Sequence, residues 1–244
     1  DWSSDVCSSD LKDRVEPKCP VARQCGGCQI QEMRYEAQLA FKQKMVQNNL
    51  ERIGGLTGFE MCPVIGMETP YAYRNKAQFP VGEDKDGNIV IGFYAGRTHH
   101  IVEQTDCCIG APENGEVLRK VKAYMQKNQI RPYNEEHHSG IVRHILIRTG
   151  YHTKEIMVCL IVNAAKASCL KNAEQLTESL REMDGMTSVM VNFNTEKTNV
   201  ILGKKSEVLW GQPYIEDFIG DVKYQISPQS FFQVNPMQTE KDRK

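Results

Sequence analysis

Several features that mark other classes of protein are missing from this sequence. It contains no apolar run approaching the roughly 18 residues of a membrane span, and it does not begin with the segments of a secretion signal. It contains no strand, glycine-rich loop and helix arranged as in the doubly wound nucleotide-binding folds. Acidic and basic residues nearly cancel, 31 against 30, to a formal net charge of −1, so any affinity for nucleic acid has to come from a local patch. The sequence therefore predicts a cytoplasmic protein with no membrane association.

Cysteine, in contrast, is abundant. In a reducing compartment, 9 cysteines indicate free thiols and a metal centre rather than disulfides. Three of them, Cys19, Cys25 and Cys28, fall within ten residues, and Gly26 and Gly27 remove side-chain bulk where the backbone would curl around a ligand. Such a bend directs several thiolates to one point, which is typical of a zinc or iron–sulfur site.

A fourth ligand has to come from elsewhere in the chain. The best candidates are Cys107 and Cys108, and either would join the N-terminal segment to the middle of the chain. Neighbouring residues of an extended segment point in opposite directions, so only one of the two is expected to bind. On the residues alone, a zinc ion held by four cysteines and an iron–sulfur cluster are equally compatible with the spacing.

Four segments differ in composition. Residues 1–11 show neither a helical nor a strand periodicity and are interpreted as a non-native tail. Cys7 is therefore not counted as a candidate metal ligand. Residues 12–55 hold the cysteine cluster and a helix, and residues 56–226 form a central α+β domain. Residues 227–244 are interpreted as the start of a further domain.

The fold is predicted to be of the α+β class. Hydrophobic periodicity and turn signals predict a mostly antiparallel sheet covered on one side by two or three helices. The predicted helices are residues 31–52, 113–126 and 168–183, and the predicted strands are residues 77–81, 89–94, 101–102, 141–148, 155–162, 189–193, 199–202 and 222–226.

Three segments together resemble the bacterial RNA uracil-C5 methyltransferases. They are the cysteine spacing of residues 19–28 (CPVARQCGGC), the distant Cys107 two residues before an aliphatic one, and residues 232–235 (FQVN). Residues 71–76 (YAYRNK) also resemble the Tyr-Arg-x-Lys segment of that family. The resemblance is greatest to the branch that methylates 23S ribosomal RNA and carries a 4Fe–4S cluster.

The resemblance implies sites for two cofactors. Cys19, Cys25, Cys28 and Cys107 would bind the 4Fe–4S cluster, and Gln233 would contact S-adenosyl-L-methionine. In the family a Rossmann-like methyltransferase domain follows the FQVN segment. The expectation is that this chain lacks that domain, is a fragment and is inactive by itself. The alternative is a zinc-stapled RNA-binding module without catalysis.

The same resemblance implies that the central domain, residues 56–226, binds RNA, and most of the expected RNA-binding residues follow from it. Arg74 and Lys76 occupy alternate positions of an extended segment and share a face, which with Arg97 would follow the phosphates. Phe231 would stack on a base that is splayed out of the RNA. The predicted partner is ribosomal RNA, in which C5 of a uridine is methylated, and the protein is predicted to be monomeric.

Overall fold

The computed structural model of the chain describes residues 11–242. The predicted tail, including Cys7, therefore lies outside the described residues except for its last position. The helices are α1 (Tyr35–Asn48), α2 (Asn114–Lys127), α3 (Ala173–Arg181) and α4 (Pro236–Lys241). The strands are β1 (Lys76–Glu83), β2 (Ile89–Tyr94), β3 (Ile101–Glu103), β4 (Val142–Thr149), β5 (Ile156–Val162), β6 (Met186–Phe193), β7 (Lys205–Gly211), β8 (Ile215–Ile219) and β9 (Val222–Ile226).

Seven strands form one mixed sheet in the order β3-β2-β1-β4-β5-β6-β7, and β8 and β9 form a separate hairpin. The sheet is mixed and not antiparallel throughout, because β5 and β6 pair in parallel through a crossover that contains α3. All seven residues of β5 are buried, as expected for a central strand that is covered on both faces. A strand with such a continuous apolar run can have a parallel neighbour. The alternation of apolar and polar residues does not reveal this pairing.

The sheet is covered on both faces, and the helices that pack on it lie on one of them. Helices α2 and α3 pack on the first face through Val117, Leu118 and Leu176, which are fully buried. The β8–β9 hairpin covers the second face, where Ile215 and Phe232 belong to a separate buried cluster. Residues 227–235 follow this hairpin and lie beside the start of β1 and the end of β4, where Asn75 donates to the Gln233 carbonyl and Arg148 to the Pro228 carbonyl.

Helix α1 packs differently from the prediction of an apolar stripe lying on the body. None of its residues is buried, and it continues into a π-helical turn, Asn49–Ile53. Its Tyr35 hydroxyl accepts a hydrogen bond from the Met67 backbone N–H at 2.7 Å. The N-terminal segment is therefore attached to the sheet mainly through the cysteine loop that precedes α1.

The predicted strand at residues 199–202 is a loop. The Asn194 side-chain amide donates to the backbone carbonyls of Val200 and Ile201 at 2.6 and 2.9 Å, so these groups are satisfied without a neighbouring strand. Strands β7 and β8 and helix α4 were not predicted from the sequence. None of the helices within residues 11–242 combines the length and the apolar character needed to cross a membrane.

Candidate functional site

The cysteine loop docks on the end of β2. Its first turns are closed by backbone hydrogen bonds, including one from the Cys25 N–H to the Val21 carbonyl at 2.8 Å. The Gly26 N–H then donates to the Tyr94 carbonyl at 2.9 Å. A Cβ at Gly26 would lie 3.0 Å from that same carbonyl oxygen, so the close approach favours glycine.

A cavity of about 430 Å³ lies between this loop and the segment after β3. Five cysteines line it, and they are Cys19, Cys25, Cys28, Cys107 and Cys108. The structure thus brings together every cysteine that the sequence analysis named as a candidate ligand.

Cys107 and Cys108 both reach the cavity because their segment is a turn and not extended. The Gly110 N–H donates to the Cys107 carbonyl at 3.0 Å and closes that turn. The argument that neighbouring residues point in opposite directions holds for extended backbone and does not apply here. Five thiols therefore surround a site for which the sequence analysis required four.

The thiols influence one another electrostatically. Burial, and after it the charge of Cys107 and the other neighbouring thiolates, raises the pKa of Cys28 from 9.0 to about 11. Burial likewise raises the pKa of Cys25 and of Cys108. Thiolates gathered in this way need a cationic partner, and sulfur is a soft donor suited to zinc, copper(I) or iron–sulfur clusters.

The donor set at the cavity is compatible with a metal centre bound by thiolates, because five cysteines line it. Within residues 11–242, no group of three or more His, Cys, Asp or Glu side chains is placed to hold one metal ion. The cysteines instead surround a cavity of about 430 Å³, and the donor set consists of sulfur. An iron–sulfur cluster and a structural zinc ion both use cysteine sulfur as the donor, so the lining is compatible with either group.

Two glutamine amides lie against the cysteine sulfurs. Gln31 Nε2 donates to Cys108 Sγ at 3.4 Å and to Cys28 Sγ at 3.8 Å. Gln104 Nε2 donates to Cys19 Sγ at 3.5 Å. Neither glutamine was predicted from the sequence. The position of a glutamine along the chain does not distinguish one that orients a ligand from an ordinary polar residue.

Two of the predicted RNA-binding residues border the same cavity. Arg74 is exposed and Lys76 is half-buried, and both line the cavity together with the cysteines. Burial, and after it the charge of Arg148, lowers the pKa of Lys76. The Arg74 N–H donates to the Ile109 carbonyl at 3.0 Å, which fixes this segment beside the Cys107–Cys108 turn.

Asn75 connects this wall to the predicted cofactor segment. Its side-chain amide donates to the Gln233 carbonyl at 2.9 Å, and its backbone N–H donates to the Val234 carbonyl at 3.1 Å. Val234 also lines the cysteine cavity, whereas the Gln233 side chain is exposed. Asn75 is buried, and the sequence analysis passed over it as the variable position of the Tyr-Arg-x-Lys segment.

Arg97 and Phe231 do not line the cavity. Arg97 is exposed in the turn after Ala95, which pairs with Cys25 in an isolated bridge. Its φ of 61° is left-handed. Phe231 is 86% exposed, two residues before Gln233, so its ring is available to a partner.

No family model matches the sequence. Two curated relatives are described as RNA methyltransferases. One, from Halalkalibacterium halodurans, is 49% identical over 228 residues, 93% of this chain and 49% of the relative. The other, from Clostridium tetani, is 45% identical over 228 residues, 93% of this chain and 48% of the relative. This chain is similar to RNA methyltransferases. It spans about half the length of these relatives.

A solved structure agrees with the sequence relatives. The crystal structure of the tRNA (uracil-54, C5)-methyltransferase of Pyrococcus abyssi, in complex with S-adenosyl-L-homocysteine, matches with a TM-score of 0.70 and 27% identity. The match covers 91% of this chain and 50% of that one. It overturns the predicted fold class, which set the chain apart from the methyltransferase fold, because nearly all of the chain shares its fold with that enzyme.

Proposed function

We propose that the protein is an S-adenosyl-L-methionine-dependent methyltransferase that forms 5-methyluridine in 23S ribosomal RNA. In this proposal the chain supplies a 4Fe–4S cluster and an RNA-binding surface. The observation that carries it is the cavity at which five cysteines from two segments meet Arg74, Lys76 and Val234. The similarity to RNA methyltransferases along 93% of the chain supports the same reaction class.

The cluster is assigned to Cys19, Cys25, Cys28 and Cys107. A bound cluster would supply iron to neutralise the thiolates, and its binding would join the N-terminal segment to the turn after β3. All four ligand positions would then come from the protein, so no iron is required to contact the RNA. The role assigned to the cluster is structural.

The RNA surface is assigned to Arg74, Lys76, Arg97 and Phe231. Arg74 and Lys76 place positive charge at the cavity mouth although the whole molecule carries almost none. The exposed Phe231 ring offers a face for stacking, the usual way in which proteins hold a base taken out of its helix. A uridine must leave its stack before C5 can be reached.

Gln233 is assigned to the methyl donor. Its side chain is exposed while its backbone carbonyl is held by Asn75, so the amide can donate to and accept from a ligand without losing its anchor. Asn75 and the Cys107–Cys108 turn would thereby place the cofactor segment next to the RNA surface.

Metal analysis tests the cluster. The protein is purified without oxygen, and iron, sulfide and zinc are measured with the absorbance spectrum. We expect broad absorption near about 400 nm and about four irons per chain. One zinc per chain and a colourless protein would instead support the zinc-stapled RNA-binding module.

Labelling tests the reaction. The protein, at the full length of its relatives, is incubated with methyl-labelled S-adenosyl-L-methionine and either 23S ribosomal RNA or tRNA transcripts. We expect label at C5 of uridine in the ribosomal RNA. Label in tRNA alone would contradict the substrate, and absence of label in both would contradict the activity.

A further inference from the structure

Gln31 is held against three of the clustered cysteines at once. Its side-chain oxygen accepts a hydrogen bond from the Cys19 backbone N–H at 2.9 Å. Its amide nitrogen donates to Cys108 Sγ at 3.4 Å and to Cys28 Sγ at 3.8 Å. One side chain therefore fixes the start of the cysteine loop and directs N–H groups toward sulfurs of both cysteine segments.

Gln104 repeats this arrangement from the opposite wall. It follows β3, its backbone N–H donates to the Ile91 carbonyl at 3.1 Å, and its side chain lines the cavity. Its amide nitrogen lies 3.5 Å from Cys19 Sγ. The two glutamines thus come from different segments, and each directs its donor group at cysteine sulfur.

Amide donors of this kind have a chemical consequence when the sulfur carries charge. A hydrogen bond to a thiolate ligand fixes its orientation and stabilises negative charge on it, and such outer contacts tune iron–sulfur potentials. The reduced cluster carries one more negative charge than the oxidised one, so the bond stabilises the reduced state more. Removing the donor should therefore make the reduction potential more negative.

We infer that Gln31 and Gln104 are positioning residues that orient two of the assigned ligand thiolates, Cys28 and Cys19 respectively, and raise the reduction potential of the cluster. The inference rests on the proposed cluster site and adds two residues to it that are not themselves ligands. It assigns no redox step to the reaction, and the potential serves only as a measure of the hydrogen bonds.

The test compares Gln31→Leu and Gln104→Leu with the unsubstituted chain after cluster loading. Leucine keeps much of the side-chain volume and removes the donor. We expect the reduction equilibrium constant to fall about tenfold in each variant, which is a shift of about 59 mV to more negative potential for a one-electron couple. Titration followed by electron paramagnetic resonance measures the potential, and iron is counted in the same samples.

Matched controls come from the same loop. Gln24 and Gln29 are exposed, so Gln24→Leu and Gln29→Leu should leave the potential unchanged. Gln31→Glu separates the two functions of Gln31, because the carboxylate can still accept from the Cys19 N–H but no longer donates to sulfur. The added carboxylate charge lowers the potential by itself, so only the iron content of Gln31→Glu is compared, and the potential of Gln104→Leu tests the donor contact.

The outcomes separate this inference from the proposal beneath it. A cluster in the unsubstituted chain, with an unchanged potential in both leucine variants, would overturn the inference and leave the cluster assignment standing. Zinc in place of iron in the unsubstituted chain would overturn both.

Discussion

At the scale of single residues, the unexpected feature is the presence of two adjacent cysteines at one cavity. Cys107 was favoured as the fourth ligand by resemblance, and the turn closed by Gly110 brings Cys108 to the same place. The Gln31 amide donates to Cys108 Sγ at 3.4 Å and to Cys28 Sγ at 3.8 Å, so this contact does not distinguish a ligand sulfur from another one. The assignment of Cys107 therefore rests on the family resemblance, and both thiols line the cavity.

Serine substitutions distinguish the two cysteines. Cys107→Ser should lose most of the bound iron, because a hydroxyl is a poor donor to an iron–sulfur cluster. Cys108→Ser should keep about four irons per chain. Cys62→Ser, at an exposed cysteine, serves as the control for the loss of a thiol. The reverse pattern of iron content would assign the ligand to Cys108.

His144 gives the chain a defined pH dependence of stability. Burial, and after it the charge of Arg143, lowers the pKa of His144 from 6.5 to about 4, while Glu135 opposes this shift. Its Nδ1 atom is buried and has no hydrogen-bond partner within the described residues. Between about pH 6.5 and about pH 4 the ring is therefore neutral in the folded chain and protonated in the unfolded chain. The free energy of unfolding decreases as the pH falls from about 6.5 to about 4.

Replacing His144 should remove that dependence. Between pH 7 and pH 5 the histidine should cost the folded state about 2 kcal/mol, of the order given by its shifted pKa. From pH 7 to pH 5, the free energy of unfolding measured with urea should fall by about that much less in His144→Phe than in the unsubstituted chain. His137→Phe, at an exposed histidine, should behave like the unsubstituted chain. Equal pH dependence in all three would refute the assignment.

At the scale of elements, the sequence predicted the bounds of a strand well where neighbouring residues form the turn that precedes it. The bounds of β2 were predicted because residues 84–88 form a tight turn, in which the Asp84 side chain accepts from the N–H of Asp86 and Asn88. The parallel pairing of β5 and β6 was not predictable, because it depends on where α3 returns the chain. The spacing of the cysteines predicted the candidate site. The role of Asn75 was not predictable, because its contacts join segments that are distant in the sequence.

The contact between Asn75 and residues 233–234 should couple the cysteine wall to the cofactor segment. Asn75→Ala removes the 2.9 Å bond to the Gln233 carbonyl and keeps the backbone bond to Val234. A net loss of about 1 kcal/mol should speed amide hydrogen exchange in residues 229–236 about fivefold. Asn88→Ala, in the exposed hairpin turn, should leave that segment unchanged. Unchanged exchange in Asn75→Ala would contradict the coupling.

At the scale of the whole molecule, the chain is a well-buried sheet with a lightly attached N-terminal segment. The sheet has large buried clusters on both faces, whereas α1 has no buried residue. The loop at residues 19–28 meets the sheet at Tyr94 and at the cysteine cavity. A cluster bound there would therefore be the main connection of the N-terminal segment, because binding that orders a segment contributes to its folding.

Removing the cluster should loosen that segment and leave the sheet folded. After oxidation and chelation of the iron, limited proteolysis should cleave within residues 12–55 first, while residues 76–226 persist as a resistant core. Cys28→Ser should show the same cleavage without chelation, and Cys62→Ser should match the loaded chain. The contrast follows from burial, since a protease needs local opening and the strands open only with their core. Identical cleavage of loaded and iron-free chains would mean that the contacts of Gly26 and α1 hold the segment without a cluster.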